Sequence, residues 1–301
     1  LLMVAFGVLV AVAVVRASAA RVHPGQAGQR TTRDKVYSKT QAAEGEKMLD
    51  HPSLALELPT GDIVREVVVG ANGLLTVMKS GTTIVDLSTT EPKVAQDCAA
   101  AAAAKGIIFL DGPVSGGEQG AIDAALSLMV GGDAAAFTRV KPILGCLGKS
   151  VVHMGGSGMG QATKLINNRI VAANFASVCE AWGLAAKVGL DPATLHEAIK
   201  GGWAGSRVME ETVPRLLTRN FVPGGSVDIM TKDVGYALNM ARTLNMPVPV
   251  TAMVHELFRM VKAQGKGVMV MTGMTSHNGK NPNVPVGMIV LSACIKVMVS
   301  P

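Results

Sequence analysis

Aromatic side chains are scarce in this 301-residue chain: two Trp, two Tyr and six Phe, or 3% of the whole. A protein that held nucleic acid by stacking would have little to stack with, although the net charge is +6 and the pI near 9.2. Acidic residues are also missing from one place. From Lys262 to the end there are four lysines and no Asp or Glu, so the excess charge belongs to a basic tail on a nearly neutral body, and no nucleic-acid partner is expected. No metal site is expected either. The four cysteines (Cys98, Cys146, Cys179, Cys294) show no CxxC spacing, and the six histidines (His23, His51, His153, His196, His255, His277) sit in no ligand pattern. Scattered cysteines of this kind read as small buried hydrophobes in a reducing, cytoplasmic setting. There is no Gly-x-Ser-x-Gly elbow, which argues against α/β-hydrolase chemistry. No apolar run reaches the ~20 residues of a membrane span. Leu1–Val15 is apolar, but it lacks a basic region before the signal-like Ala17-Ser18-Ala19. It is expected to be a buried strand or helix of the first domain.

What the chain has is apolar bulk. Hydrophobic residues make up 49%, with 34 Gly and 17 Met, which excludes disorder and leaves room for about two domains at ~100–200 residues each. Residues 21–52 read as loops with one short helix, and the stretch after Gly265 as an irregular tail. Between them the pattern is clean. Asp62–Leu75 reads as a helix followed by a Gly-rich turn at Gly70 and Gly73. A β-branched strand, Thr82–Leu87, is followed by Ser88-Thr-Thr-Glu-Pro92, which offers an N-cap and an early Pro for a helix that runs to Ala104. Ile107–Leu110, Leu126–Val130 and Ser150–His153 read as further strands, with a helix over Ala134–Leu144. Strand, helix, strand at this spacing makes a parallel α/β layer. From Gly160 the chain reads as helices only: 160–188, 191–200, 206–217, 230–244 and 251–263. The fold class is therefore α/β, a parallel-sheet domain over 1–155 followed by an all-helical domain over 156–301. That layout fits a dinucleotide enzyme with a cleft between domains.

Three segments carry polar groups suited to chemistry. Asp111-Gly-Pro-Val-Ser-Gly-Gly117 follows a strand. Its Ser115 hydroxyl and the N–H groups around Gly116 and Gly117 could hold a carboxylate or phosphate, although an ordinary tight turn would look the same. Gly156-Ser-Gly-Met-Gly-Gln-Ala-Thr-Lys164 imitates a nucleotide loop, but Gln161 breaks Gly-x-Gly-x-x-Gly. Lys164 and Asn168 stand four apart, on one face of an otherwise apolar helix. A desolvated lysine there could act as an acid or base and the amide could position a hydroxyl; a solvated lysine and a capping amide are the competing reading. Thr231-Lys232-Asp233 lies in a helix and by itself reads as surface charge.

Taken together in this order, the segments resemble the β-hydroxyacid dehydrogenase family. The likeness runs from about Leu58 to Ala263, through Leu-Pro-Thr-Gly-Asp62, Val-Asp-Leu-Ser-Thr-Thr-Glu-Pro92, Asp-Gly-Pro-Val-Ser-Gly-Gly117, Gly158-x-Gly-x-x-x-Lys164-x-x-Asn-Asn168 and Thr-Lys232-Asp-Val-Gly235. Gly201-Gly-Trp-Ala-Gly-Ser206 is most similar to the tartronate semialdehyde reductase branch. The resemblance implies a Rossmann-like domain followed by a helical one, NAD or NADP as cofactor, and interconversion of a small hydroxyacid and its semialdehyde by a homodimer or homotetramer. It implies Lys164 as general acid/base and Asn168 orienting the substrate hydroxyl. Ser115, Gly116 and Gly117 would grip the substrate carboxylate, with Leu58, Pro59, Thr89 and Lys232 on the cofactor.

Two departures from the family bear on function. The family opens with a strand and Gly-x-Gly-x-x-Gly, whose backbone cradles a pyrophosphate. Residues 1–57 hold only Gly7, Gly25, Gly28 and Gly45, in no such pattern. Asp123-Ala-Ala125 lacks the family's Gly and Thr, and the family's acidic, Ser-containing ending is missing after Gly267. Ends of this kind are what a frame or start-site error, or decay, would leave. Weak cofactor binding is therefore expected, and a catalytically impaired or non-catalytic relative is the alternative reading.

Overall fold

The computed structural model describes residues 53–218, 220 and 225–266, together with the short antiparallel strands β1 (Val4–Ala5) and β2 (Val8–Leu9). The loops expected over 21–52 and the tail after 266 lie outside the described residues. The chain divides into two compact units, Leu1–Lys164 and Leu165–Pro301.

The first unit is built on a six-stranded sheet: β3 (Ser53–Leu56), β4 (Thr83–Asp86), β5 (Ile108–Asp111), β6 (Val114–Ser115), β7 (Ser127–Gly131) and β8 (Ser150–Gly155). β3, β4 and β5 run parallel, with Leu56, Asp86 and Asp111 in register at their carboxyl ends. All four residues of β4 are buried, as a parallel strand covered on both faces must be. Side chains alternate across the sheet. Ile84 and Phe109 join the core beneath α1 (Gly61–Val69) and α2 (Pro92–Ala103). Val85 and Leu110 join the core on the other side, with Val130 and with Phe137 and Val140 of α4 (Ala134–Leu144).

The parallel layer is smaller than the sequence implies. β7 pairs antiparallel with β5 and β6, and β8 pairs parallel with β7. Between β5 and β7 the chain has room only for β6 and the short helix α3 (Gly117–Ile122), so it turns back instead of making a full crossover. The helix and Gly-rich turn expected over Asp62–Leu75 are seen as α1, which ends at Val69, with Gly70 and Gly73 leading into a separate 3₁₀ turn at Leu74–Thr76. Within the Ser88–Pro92 segment the cap position of α2 is Glu91 and its first residue is Pro92.

Between α3 and β7 a non-glycine residue takes a left-handed backbone angle. Ala124 has φ of 49°, a left-handed conformation that costs an L side chain roughly 1–2 kcal/mol. Ala124→Gly is expected to stabilise the protein by about 1 kcal/mol, read as a raised urea midpoint at unchanged slope.

The second unit is helical. α5 (Met159–Val188) begins in the first unit and continues into the second without a break. α6 (Pro192–Ile199), α7 (Arg207–Leu217), α8 (Val227–Thr243) and α9 (Pro249–Val261) follow. Asp191, Ser206 and Ser226 cap α6, α7 and α8 through their side chains, each accepting an N–H three residues on. Ala172, Ala176 and Cys179 of α5 pack with Val227, Met230 and Val234 of α8 and with Val254, Leu257 and Phe258 of α9. Those spacings of three and four lay one apolar stripe per helix against the next. Among the described residues no helix is long and apolar enough to cross a membrane.

Candidate active site

At the carboxyl ends of the parallel strands the chain ties itself into one polar network. Ser88, just past β4, accepts the Leu58 N–H on its Oγ at 2.7 Å, which fixes the loop after β3 to the loop after β4. Asp86 accepts the Ser88 N–H on Oδ1 at 3.0 Å. Asp111 ends β5 and accepts Gly158 N–H on Oδ1 at 2.8 Å and Gln161 N–H on Oδ2 at 2.9 Å. The Asp111 carboxylate thus meets the amino end of α5, where unpaired backbone N–H groups favour negative charge. Burial raises its pKa, and the hydrogen bonds from Gly158 and Gln161 oppose that rise.

Gln161 closes the network. It is fully buried at 0% exposure. Its Oε1 accepts the Thr90 N–H at 2.9 Å and its Nε2 donates to the Ser88 carbonyl at 2.7 Å. The sequence offers Gln161 only as the residue that spoils a glycine motif; its structural work was not legible there. A hint was present in retrospect, since a Gln in the first turn of an apolar helix needs partners if buried.

The expected site residues fall into three groups. Leu58 is buried, Pro59 is exposed and Thr89 is half-buried, all at the joined strand-end loops. This edge is where an open α/β sheet takes a dinucleotide, and two of its loops are held together there by the Leu58–Ser88 hydrogen bond. Ser115 ends β6 opposite Ser127 and is half-buried, while Gly116 and Gly117 are exposed with φ of 140° and 65°. Only glycine takes both angles without strain. Lys164, 8% exposed, comes three residues after Gln161 on α5, and Asn168, 6% exposed, one turn further.

In the second unit the reading of Thr231-Lys232-Asp233 as surface charge is corrected. Asp233 on α8 is buried and its Oδ2 accepts the Asn168 Nδ2–H at 2.7 Å. Asn167 Nδ2 donates to Asn168 Oδ1 at 2.9 Å. Lys232 Nζ lies 3.2 Å from Asp233 Oδ1 and 5.2 Å from the centre of the Tyr236 ring. Helix period accounts for the pairing: the stripe that buries Met230, Val234 and Ala237 also turns Asp233 inward.

Two family models match the chain. The NAD binding domain of 6-phosphogluconate dehydrogenase matches residues 11–156, and the NAD-binding domain of NADP-dependent 3-hydroxyisobutyrate dehydrogenase matches residues 158–276. The 2-(hydroxymethyl)glutarate dehydrogenase of Eubacterium barkeri is 39% identical over 235 residues, 77% of this chain and 78% of that one. The chain belongs to the β-hydroxyacid dehydrogenase family. It is an NAD(P)-dependent enzyme of the 3-hydroxyacid dehydrogenase class. The 2-hydroxy-3-oxopropionate reductase of Escherichia coli (strain K12) is 42% identical over 208 residues, covering 69% of this chain and 71% of that protein. Among solved structures, the 3-hydroxyisobutyrate dehydrogenase from Salmonella typhimurium superposes with a TM-score of 0.69 at 28% identity, covering 75% of this chain and 79% of the other. The similarity reaches beyond the Leu58–Ala263 span read from motifs, on both sides.

Proposed function

We propose that this dehydrogenase interconverts a small 3-hydroxyacid and its semialdehyde, of the 2-hydroxy-3-oxopropionate or 3-hydroxyisobutyrate type. The observation that carries the reading is a buried Lys164 on α5, one turn before a buried Asn168 and just after the polar network at the strand ends. When bound, the nicotinamide supplies a hydride for reduction and takes one in oxidation. Lys164 moves the proton. Hydride addition to the aldehyde carbon leaves an alkoxide, and an ammonium within hydrogen-bond reach donates to that oxygen; in the reverse direction the amine accepts the hydroxyl proton. Asn168 orients the substrate hydroxyl, itself held by Asp233 and Asn167. Ser115 and the backbone at Gly116 and Gly117 grip the substrate carboxylate, since they offer donors in a loop without side-chain bulk. Leu58, Pro59 and Thr89 line the nicotinamide end of the cofactor, and Lys232 offers it a cation.

Purified protein titrated with NADH and with NADPH, then given tartronate semialdehyde or the semialdehyde of 3-hydroxyisobutyrate, tests the reading. Binding with turnover of one of these is the expected result, with affinity weaker than a chain carrying the glycine loop would have. Binding without any turnover would favour the non-catalytic relative, which the absence of Gly-x-Gly-x-x-Gly from residues 1–57 supports. We further infer a cytoplasmic homodimer or homotetramer. Leu184 and Val188 at the end of α5 support the assembly, for both are large apolar side chains left mostly exposed on a single chain.

A further inference from the structure

We propose that Gln161 is a positioning residue that sets the distance between the nicotinamide end of the cofactor and the proton-transferring amine. The inference rests on the reading of Lys164 as acid/base. Both ends of the Gln161 amide are spent on a single loop: Oε1 on Thr90 N–H and Nε2 on the Ser88 carbonyl, 2.9 and 2.7 Å away. Between those two clamped residues lies Thr89, half-buried and read above as lining the nicotinamide end of the cofactor. The backbone N–H of the same Gln161 is held by Asp111 at 2.9 Å, and Lys164 follows three residues later on the same helix. One fully buried side chain therefore ties the loop that flanks the nicotinamide to the turn of α5 from which the lysine projects.

Filling space alone would not need an amide. An apolar side chain of similar volume would fill the space but would leave the Thr90 N–H and the Ser88 carbonyl without this partner. The amide adds registry: the loop and the helix cannot slide past one another without breaking two buried hydrogen bonds. Hydride and proton must reach adjacent atoms of one carbonyl, and misplacement by about 1 Å can cost ~100-fold in rate.

Gln161→Met keeps the volume and removes both bonds. Its kcat is expected to fall about tenfold or more, with a larger primary isotope effect from cofactor deuterated at the transferred hydrogen, while KM for the hydroxyacid changes less than about threefold. Gln161→Glu keeps an acceptor for Thr90 N–H, and only its protonated form restores a donor to the Ser88 carbonyl. Its activity relative to wild type is expected to climb as pH falls, a signature a merely structural role would not give. Amide exchange at Thr90 supplies a readout that needs neither cofactor nor turnover: it should quicken at least about tenfold in Gln161→Met while exchange at Ile84 holds. Wild-type kcat and isotope effect in a folded Gln161→Met would overturn the proposal, as would unchanged Thr90 exchange. If Gln161→Met does not fold, a flat relative pH profile for Gln161→Glu would overturn it. Failure of wild type to turn over at all would count against the Lys164 reading instead, and Thr90 exchange would still decide the clamp.

Discussion

Lys164→Ala is expected to lower kcat by about 10³-fold, within the ~10²–10⁴ range of a lost general acid, while cofactor affinity stays within about threefold. The magnitude follows from what the side chain does. Without a donor, hydride transfer would have to leave a bare alkoxide in a buried setting where water is largely excluded, and such charge is costly there. Lys164 is 8% exposed, so solvent is a poor substitute. Lys164→Arg sharpens the test. It keeps the positive charge but cannot release a proton near neutral pH. Electrostatic stabilisation of the alkoxide alone would leave appreciable reduction in that variant, whereas proton transfer as the essential act would leave reduction and oxidation both impaired. Steady-state rates in both directions, with cofactor affinity measured separately, decide the matter. A Lys164→Ala protein with near wild-type kcat would remove Lys164 from the mechanism.

Much of this was readable from residues alone, and the parts that were not share a cause. Helix starts were legible wherever a cap or an early Pro stands before an apolar stripe, as at Asp191-Pro192 and Ser206. β4 and β5 were legible as β-branched or apolar runs. β3 was not: Ser53-Leu-Ala-Leu56 is only four residues long and carries no β-branched or aromatic residue, and its pairing with β4 makes it a strand. The antiparallel direction of β7 was hidden because direction depends on how much chain a crossover needs, not on the strand's own residues. For the site, spacing put Lys164 and Asn168 on one helix, but polar partners distant in sequence were invisible. Gln161 meets Thr90 across 71 positions and Asn168 meets Asp233 across 65. A Lys-Asp pair looks like surface charge until the packing of α8 turns the Asp inward.

Asp86 is expected to make the protein lose stability as pH rises from about 4 to above 7. It ends β4 fully buried, in register with the second buried acid Asp111. Among the described residues its Oδ1 accepts the Ser88 N–H at 3.0 Å, and its Oδ2 is buried. Burial pushes its pKa up to about 7; hydrogen bonds from Ser88 oppose the rise, and the charges of Asp111 and Glu57 add to it. An unfolded Asp titrates near 3.9. Between those values the native state binds the extra proton, so stability is full below about pH 4 and falls as pH climbs through about 7. A difference of about 3 pKa units at ~1.4 kcal/mol each sets an upper bound of roughly 4 kcal/mol. Asp86→Asn keeps the acceptor for Ser88 N–H and cannot ionise. Urea unfolding at pH 5 and pH 8 should therefore show the variant within about 1 kcal/mol of wild type at the lower pH and about 2–4 kcal/mol more stable at the higher. The comparison subtracts the titrating groups that the two proteins share and that do not interact with Asp86. Equal stability of the two proteins at both pH values would mean that Asp86 stays ionised in the fold, with water or a hydroxyl reaching Oδ2.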